Sequence, residues 1–384
     1  MSPCLLPLNR TQATMTRTSH SIADRMELID ASGIRKVFDL AAKMTDPINL
    51  SIGQPAFDVP EPIKAQAIEA IQQGHNKYTQ TQGTAALRAV LADECRREFG
   101  WDDDRAFLVT SGVSGALMLS MLALVDPGQE VIFADPYFVM YSHLAHLAGA
   151  KCVMVDTYPD FRPTAEKFAA AITDNTRMIV LNSPSNPTGC VHTEAELKAI
   201  AEVAAERDIL VISDEIYNLF CYDQPFVSMA SIYENTLLFR GFSKSYAMTG
   251  WRMGWCTGPK AVIEKMTVLQ QYSFVCAPSM VQAAGATALA TDMSPQVAEY
   301  KRKRDMVVEK LGEKFGMVTP GGAFYAFVPA PGGNATDFVT KAIENNVLII
   351  PGNVFSSRDT HFRISYATTD EKLAEGLDIL ASLA

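Results

Sequence analysis

The chain has 384 residues, room for about two domains at roughly 100–200 residues each and enough to bury a core without disulfides or structural metal. Lys plus Arg is 33 against 43 Asp plus Glu, a net charge of −10 with no long basic run, which argues against a nucleic-acid partner. Hydrophobic residues make up 48% and charged residues 20%, an ordinary globular balance, and no apolar stretch reaches membrane-spanning length.

The first twenty residues contain Arg10 and Arg17 but no acid. Their apolar run, Cys4 to Leu8, is too short for a signal peptide, so residues 1–20 read as a flexible tail. Seven cysteines, widely spaced and without a C-x-x-C, fit a reducing, cytoplasmic setting and no metal site. One extended run, Ile48 to Ile52, precedes Gly53.

From about residue 60 to 290, short apolar runs alternate with helical patterns. The runs are 107–110, 131–134, 152–155, 178–181, 209–213 and 237–239. Ala116 to Val125 reads as a buried helix. Thr193 and Glu196 form a capping box that opens a helix between two runs, a βαβ unit. Repetition of this unit predicts an α/β fold, a mostly parallel sheet with helices on both faces and strands apolar throughout. After residue 290 comes a long helix bearing Lys301-Arg302-Lys303-Arg304, a basic run expected on a solvated face because acids flank it. Strand-like runs follow at 324–328, 347–350 and 362–367. Residues 21–60 and 291–384 are therefore expected to form one smaller α+β domain built from both termini, and 61–290 the large domain.

The predicted strands end in unusual polar clusters: Ser111 to Gly115, Asp135 to Phe138, Asn182 to Gly189, Asp214 to Tyr217, and Arg240 to Lys244. Ligands of open α/β sheets bind beyond the carboxyl ends of strands, so these clusters should converge. Val113 and Ser114 enter a helix, whose free N–H groups with Ser243 and Arg252 suit a phosphate. Lys244, among Phe242, Tyr246 and Trp251, suits a nucleophilic amine. Asp214 ends an apolar strand and needs a partner to stay charged; a protonated ring nitrogen would serve. Tyr217 and Asn186 could donate to a ring oxygen, and Phe138 could cover a flat ring. Taken singly, the ordinary readings are a helix start, a snorkelling lysine, an N-cap and a core aromatic. Together they make a cage for pyridoxal 5′-phosphate.

Ser243-Lys244-Ser245-Tyr246-Ala247-Met248-Thr249-Gly250-Trp251-Arg252 resembles the pyridoxal-lysine motif of the class I/II aminotransferases, the fold type I aspartate aminotransferase superfamily. Asn186-Pro187-Thr188-Gly189, Asp214-Glu215-Ile216-Tyr217, Tyr78 with Gly83 and Leu87-Arg88, and Phe362-Arg363-Ile364-Ser365-Tyr366-Ala367 also match in order. The resemblance implies that Lys244 carries the cofactor as a Schiff base and moves the substrate proton. It implies that Asp214 holds the ring nitrogen, that Tyr217 and Asn186 bond the ring oxygen, and that Phe138 stacks. It assigns phosphate to Val113, Ser114, Ser243 and Arg252. Tyr78 would reach the phosphate of a neighbouring subunit, making a homodimer, and Arg363 with Gly53 and Asn186 would bind the substrate carboxylate.

Three positions depart from the common pattern. Gly241 stands where a hydroxyl residue often meets phosphate. Ser114 stands where a subgroup acting on dicarboxylic substrates has Lys, which argues against aspartate. Ser356 follows Phe355 where Gly is frequent. The expected activity is ping-pong transfer of an amino group from an L-amino acid, with an aromatic, neutral or aspartate side chain, to a 2-oxo acid, in amino acid metabolism and biosynthesis. A carbon–sulfur β-lyase or related synthase on the same scaffold is the alternative. A pyridoxal-phosphate-binding regulator would need a DNA-binding domain and a basic patch, and a nicotinamide enzyme a G-x-G-x-x-G after a strand; neither pattern occurs. His143 and His146 read as surface or core residues. Phe57, Tyr141 and Phe355 tilt the expected substrate towards a neutral or aromatic side chain.

Overall fold

A computed structural model describes residues 22–384 apart from 32, 35, 36, 38, 39, 41, 43 and 102–104. The tail expected over residues 1–20 lies outside them. The main sheet contains β2 (Ala106–Thr110), β3 (Glu130–Asp135), β4 (Lys151–Asp156), β5 (Thr176–Asn182), β6 (Leu210–Asp214), β7 (Thr236–Gly241) and β8 (Gly254–Gly258), after a short β1 (Ile48–Asn49). Its seven strands run in the order β2-β8-β7-β6-β5-β3-β4. β8 pairs antiparallel with both β2 and β7; the remaining pairings are parallel. Each of the six apolar runs is a strand. β8 has no counterpart among them, because its sequence, Gly-Trp-Cys-Thr-Gly, lacks the aliphatic run that marked the others.

Alternation across the strands divides the core. Val131, Phe133, Val180 and Ile212 face Leu117 and Leu119 of the helix Gly112–Leu124, while Ile132, Ile179 and Val211 face Leu197, Ile200 and Ala204 of the helix Glu194–Ala205. Coverage of both faces explains why these strands are apolar throughout. β4 departs from that expectation. It is an edge strand with Lys151, Met154 and Asp156 exposed and Val155 buried. The capping box forms as expected, with Thr193 accepting from the Glu196 N–H and Glu196 returning to Thr193.

The two ends of the chain meet. β1 pairs in parallel with β10 (Val347–Leu348), and β9 (Tyr325–Pro329), β12 (His361–Ser365) and β11 (Ile350–Pro351) form an antiparallel sheet. The long helix is Ser294–Phe315. Its basic run corrects the expectation of a solvated face. Lys301 and Arg302 are on the surface, but Lys303 and Arg304 are buried. Lys303 donates to Glu299 and to the Thr368 carbonyl; Arg304 donates to Asp223 Oδ2 at 2.6 Å and to the Pro320 carbonyl at 2.6 Å. Buried cations are tolerated when paired in this way. Among the described residues no helix is long and apolar enough to cross a membrane, and no His/Cys/Asp/Glu cluster could hold a metal ion.

Candidate active site

The carboxyl ends of β2, β3, β5, β6 and β7 open into one cavity of about 600 Å³. Lining it are Gly53, Val113, Ser114, Phe138, Asn186, Asp214, Tyr217, Ser243, Lys244, Arg252 and Arg363. The convergence expected from the strand-end rule is therefore met by every candidate except Tyr78. Tyr78 is 86% exposed and away from the cavity.

Lys244 lies at the cavity floor, just beyond β7, and its ammonium donates to the Gly53 carbonyl. Burial, then the charges of Arg363 and Arg252, pull its pKa down to about 8, which the opposite charge of Asp214 only partly offsets. An amine with that pKa holds far more free base at neutral pH than an ordinary lysine. Gly53 must approach closely: a Cβ there would lie 2.3 Å from the Tyr325 hydroxyl.

Asp214 is the last residue of β6 and is buried. Its Oδ2 accepts from the Tyr141 hydroxyl at 2.7 Å and its Oδ1 from the Ile216 N–H at 3.3 Å. Desolvation still prevails over these bonds and over Lys244, lifting the pKa to about 6. Such a carboxylate lacks a full counter-charge, and a protonated ring nitrogen would supply one. Asn182 donates to the Asp214 carbonyl at 2.9 Å and accepts from the Asn186 N–H at 2.8 Å, fixing both segments.

The far wall holds Arg363, buried on β12. Its Nη1 donates to Asn186 Oδ1 at 2.9 Å and its Nη2 to the Ser51 carbonyl at 2.6 Å. Tyr325 and Phe355 cover its guanidinium, each ring centroid 4.6 Å away. Because Asn186 presents its oxygen to Arg363, its amide donors remain for another acceptor. The Tyr217 hydroxyl is 2.9 Å from that of Tyr325. Phe138 packs edge-on to Tyr141 with centroids 5.7 Å apart.

The opposite end is cationic and more open. Arg252 is exposed, in the left-handed region at φ 55°, and donates to Ser114 Oγ at 2.9 Å and to the Thr249 carbonyl at 2.9 Å. The helix Gly112–Leu124 starts here, earlier than its apolar run suggested. A Cβ on Gly254 would lie 2.7 Å from the Val113 nitrogen, so β8 runs tight against that helix start. Gly241 is closely packed: a Cβ would lie 2.9 Å from Ile216 and 3.2 Å from Val113, so a hydroxyl residue there would require those side chains to shift. Free N–H groups, a hydroxyl and a guanidinium suit a phosphate. A phosphate site, an amine of lowered pKa and a carboxylate short of a counter-ion match the three reactive parts of pyridoxal phosphate.

Sequence reasoning missed Tyr325, Asn182 and Ser51 as site residues, and it did not foresee the bond from Tyr141 to Asp214. Tyr141 does line the cavity. Phe57 does not line the cavity and packs on Tyr300 at 6.1 Å. Phe355 covers Arg363 instead. Tyr325 was findable only after pairing β9 with β12, where it sits diagonally opposite Arg363. His143 and Met140 do line the cavity, with Ile29, Ile34, Val139 and Leu144.

The family described as aminotransferase class I and II matches residues 45–380. An aromatic-amino-acid aminotransferase of Thermococcus litoralis is 37% identical over 376 residues, covering 93% of this chain and 97% of the relative. An aspartate aminotransferase of Pyrococcus abyssi is likewise 37% identical, with 93% and 97% covered. The solved aspartate aminotransferase from Thermus thermophilus with maleate superposes at TM-score 0.89 and 34% identity, covering 94% of this chain and 99% of that one.

Proposed function

The chain belongs to aminotransferase class I and II and is a pyridoxal-phosphate-dependent aminotransferase, and from that premise we propose a neutral or aromatic L-amino acid as its donor and the residue roles that follow. The observation that carries the reading is the meeting of Lys244, Asp214, Arg252 and Arg363 in one cavity.

When bound, pyridoxal phosphate supplies an aldehyde that condenses with amines and a ring that draws electrons from the substrate Cα. Val113, Ser114, Ser243 and Arg252 bind its phosphate. Asp214, steadied by Tyr141, carries the negative charge that keeps the ring nitrogen protonated. Asn186 and Tyr217 donate to the ring oxygen, and Phe138 covers the ring. Arg363, with the Gly53 backbone and Asn186, takes the substrate carboxylate and so orients the Cα–H bond. Lys244 would be the residue that holds the cofactor aldehyde and would move the proton of the substrate Cα; proton transfer by a placed base typically contributes ~10²–10⁴-fold.

The donor class rests on the rest of the cavity wall. Among the described lining residues, Ile29, Ile34, Val139, Met140 and Leu144 are apolar, and the Lys and Arg side chains are already engaged in the roles above. A distal carboxylate on the substrate therefore meets no unengaged Lys or Arg among the described lining residues. The same proposal includes a homodimer in which Tyr78 completes the partner's phosphate site; its exposure supports this. It also includes a large domain over 61–290, a small one from 21–60 and 291–384, a cytoplasmic setting, and a role in amino acid biosynthesis.

The test incubates enzyme with single amino acids and 2-oxoglutarate. Glutamate formation fastest from phenylalanine, tyrosine or methionine supports the donor class. Aspartate as the preferred donor would overturn it. Pyruvate and ammonia released without an acceptor would instead point to β-elimination.

A further inference from the structure

Four consecutive residues follow the short turn Gly352–Val354, and each bonds to the end of β3 or β4 or to the segment just beyond it. The Phe355 carbonyl accepts from the Tyr137 N–H at 2.8 Å. Ser356 Oγ accepts from the Tyr158 hydroxyl at 3.0 Å and from the Arg358 N–H at 3.0 Å. Ser357 gives its N–H and its hydroxyl to Asp135 Oδ2, at 3.2 and 2.8 Å. Arg358 pairs with Asp156 and lies 4.4 Å over the Tyr158 ring. Asp135 and Ser356 are buried while Ser357 and Arg358 are exposed, so the bonds to Asp135 and Tyr158 are partly shielded from water and the Arg358–Asp156 pair lies at the surface.

The loop has a second side. The Phe355 ring, fully buried, lies over Arg363. A guanidinium recognises a carboxylate by its plane, so whatever fixes that plane fixes the recognition. One of the two rings over the guanidinium, Tyr325, sits within β9. The other, Phe355, is on a loop that has no ladder of its own at residues 355–358 and depends on its hooks to the ends of β3 and β4. Asp135, the anchor, lies three residues before Phe138. One connection therefore links the carboxylate wall to the segment that covers the ring.

We propose that Ser356 and Ser357 are positioning residues for the substrate carboxylate. Hooked to Tyr158 and Asp135, they hold Phe355 against Arg363 and set affinity for both amino and oxo acids, leaving the proton transfer at Lys244 untouched. Ser356, which stands where glycine is frequent, thereby acquires a purpose. The inference rests on the reading of Arg363 as the carboxylate ligand.

The experiment compares holoenzyme carrying Ser357→Ala, Ser356→Gly with Ser357→Ala, Tyr158→Phe, and Ser357→Thr. With hydrogen bonds lost from the half-buried latch, KM for donor and for oxo acid should both rise about 5–20-fold in the double variant. kcat should stay within about twofold and the cofactor absorbance should not move, as expected when only uniform binding is lost. Tyr158→Phe, which deletes one hydroxyl, should raise both KM values about two- to fivefold, and it keeps the test open if the double variant does not fold. Ser357→Thr, which keeps the hydroxyl, should restore KM. An unchanged KM in folded variants, or a fall in kcat with loss of cofactor, overturns the proposal. Arg363→Lys in the same assay separates the two ideas: if it leaves KM unchanged, the reading of Arg363 fails; if it raises KM while the serine variants do not, only the latch fails.

Discussion

The two cationic ends of the cavity are built on opposite plans. Arg252 is exposed and held by one hydroxyl and two carbonyls, all in the large domain. Arg363 is 1% exposed, bonded to Asn186 and Ser51 and packed against two rings. Water can solvate the first until a phosphate arrives. The second is cut off from water, so the protein must satisfy it in advance, and burial pulls its pKa down. Openness suits a cofactor anchor that is loaded once; prior ordering suits a group that must orient each substrate.

Between the ends lies Lys244, and removing it should have the largest effect. Lys244→Ala should lower turnover by at least ~10²–10⁴-fold, the usual contribution of a placed base, and abolish cofactor trapped by borohydride. Retention of either would remove the premise on which the comparison stands.

Arg363→Lys tests the closed end. It keeps the charge but loses the planar fork, and KM for amino acids should rise about 10–100-fold with little change in cofactor content. Arg252→Lys tests the open end, where hydration can compensate. Apparent cofactor affinity should fall about threefold to tenfold, by equilibrium titration, with the substrate KM unaffected. Equal effects of the two substitutions on substrate KM would erase the distinction.

Tyr141→Phe removes the hydroxyl from Asp214. That bond favours the charged form, so its loss should raise the Asp214 pKa further above about 6. Cofactor affinity at pH 7 should drop about tenfold, the scale of one hydrogen bond to a charged group.

The smallest expected effect is the pH dependence of the cofactor-free protein. Asp214 has its folded pKa raised from 3.8 to about 6, so the folded state holds the extra proton between those values and stability falls as pH rises through them. Lys244 is lowered from 10.5 to about 8, so the unfolded state holds the extra proton there and stability rises from pH 8 to 10.5. Buried cysteines with raised pKa values, and His192 and His361 with lowered ones, give opposite slopes over the same ranges, so the check is a difference: the melting temperature of the wild type relative to Lys244→Met should rise from pH 8 to 10.5.

Much of the ring and phosphate end was legible without coordinates. Val113, Ser114, Asp214, Ser243 and Lys244 each follow or end an apolar run, so the strand-end rule places them together. The closed end was less legible. Arg363 was reached through a resemblance, but its supports, Ser51, Tyr325 and Phe355, are brought to it by β-pairing and a loop hook between distant segments. Lys303 and Arg304 were misjudged for a related reason: their partners Thr368, Asp223 and Pro320 come from elsewhere in the chain.

By itself the sequence determined the α/β class, the strand and helix periods, and the chemical types collected at strand ends, because periodicity and turn chemistry act over a few residues. Only the tertiary structure decided which charges lie in water and which are enclosed, and so where the pKa values of Asp214, Lys244 and Arg363 move. Burial and partner geometry depend on segments hundreds of positions apart, and desolvation has no local signature in the chain.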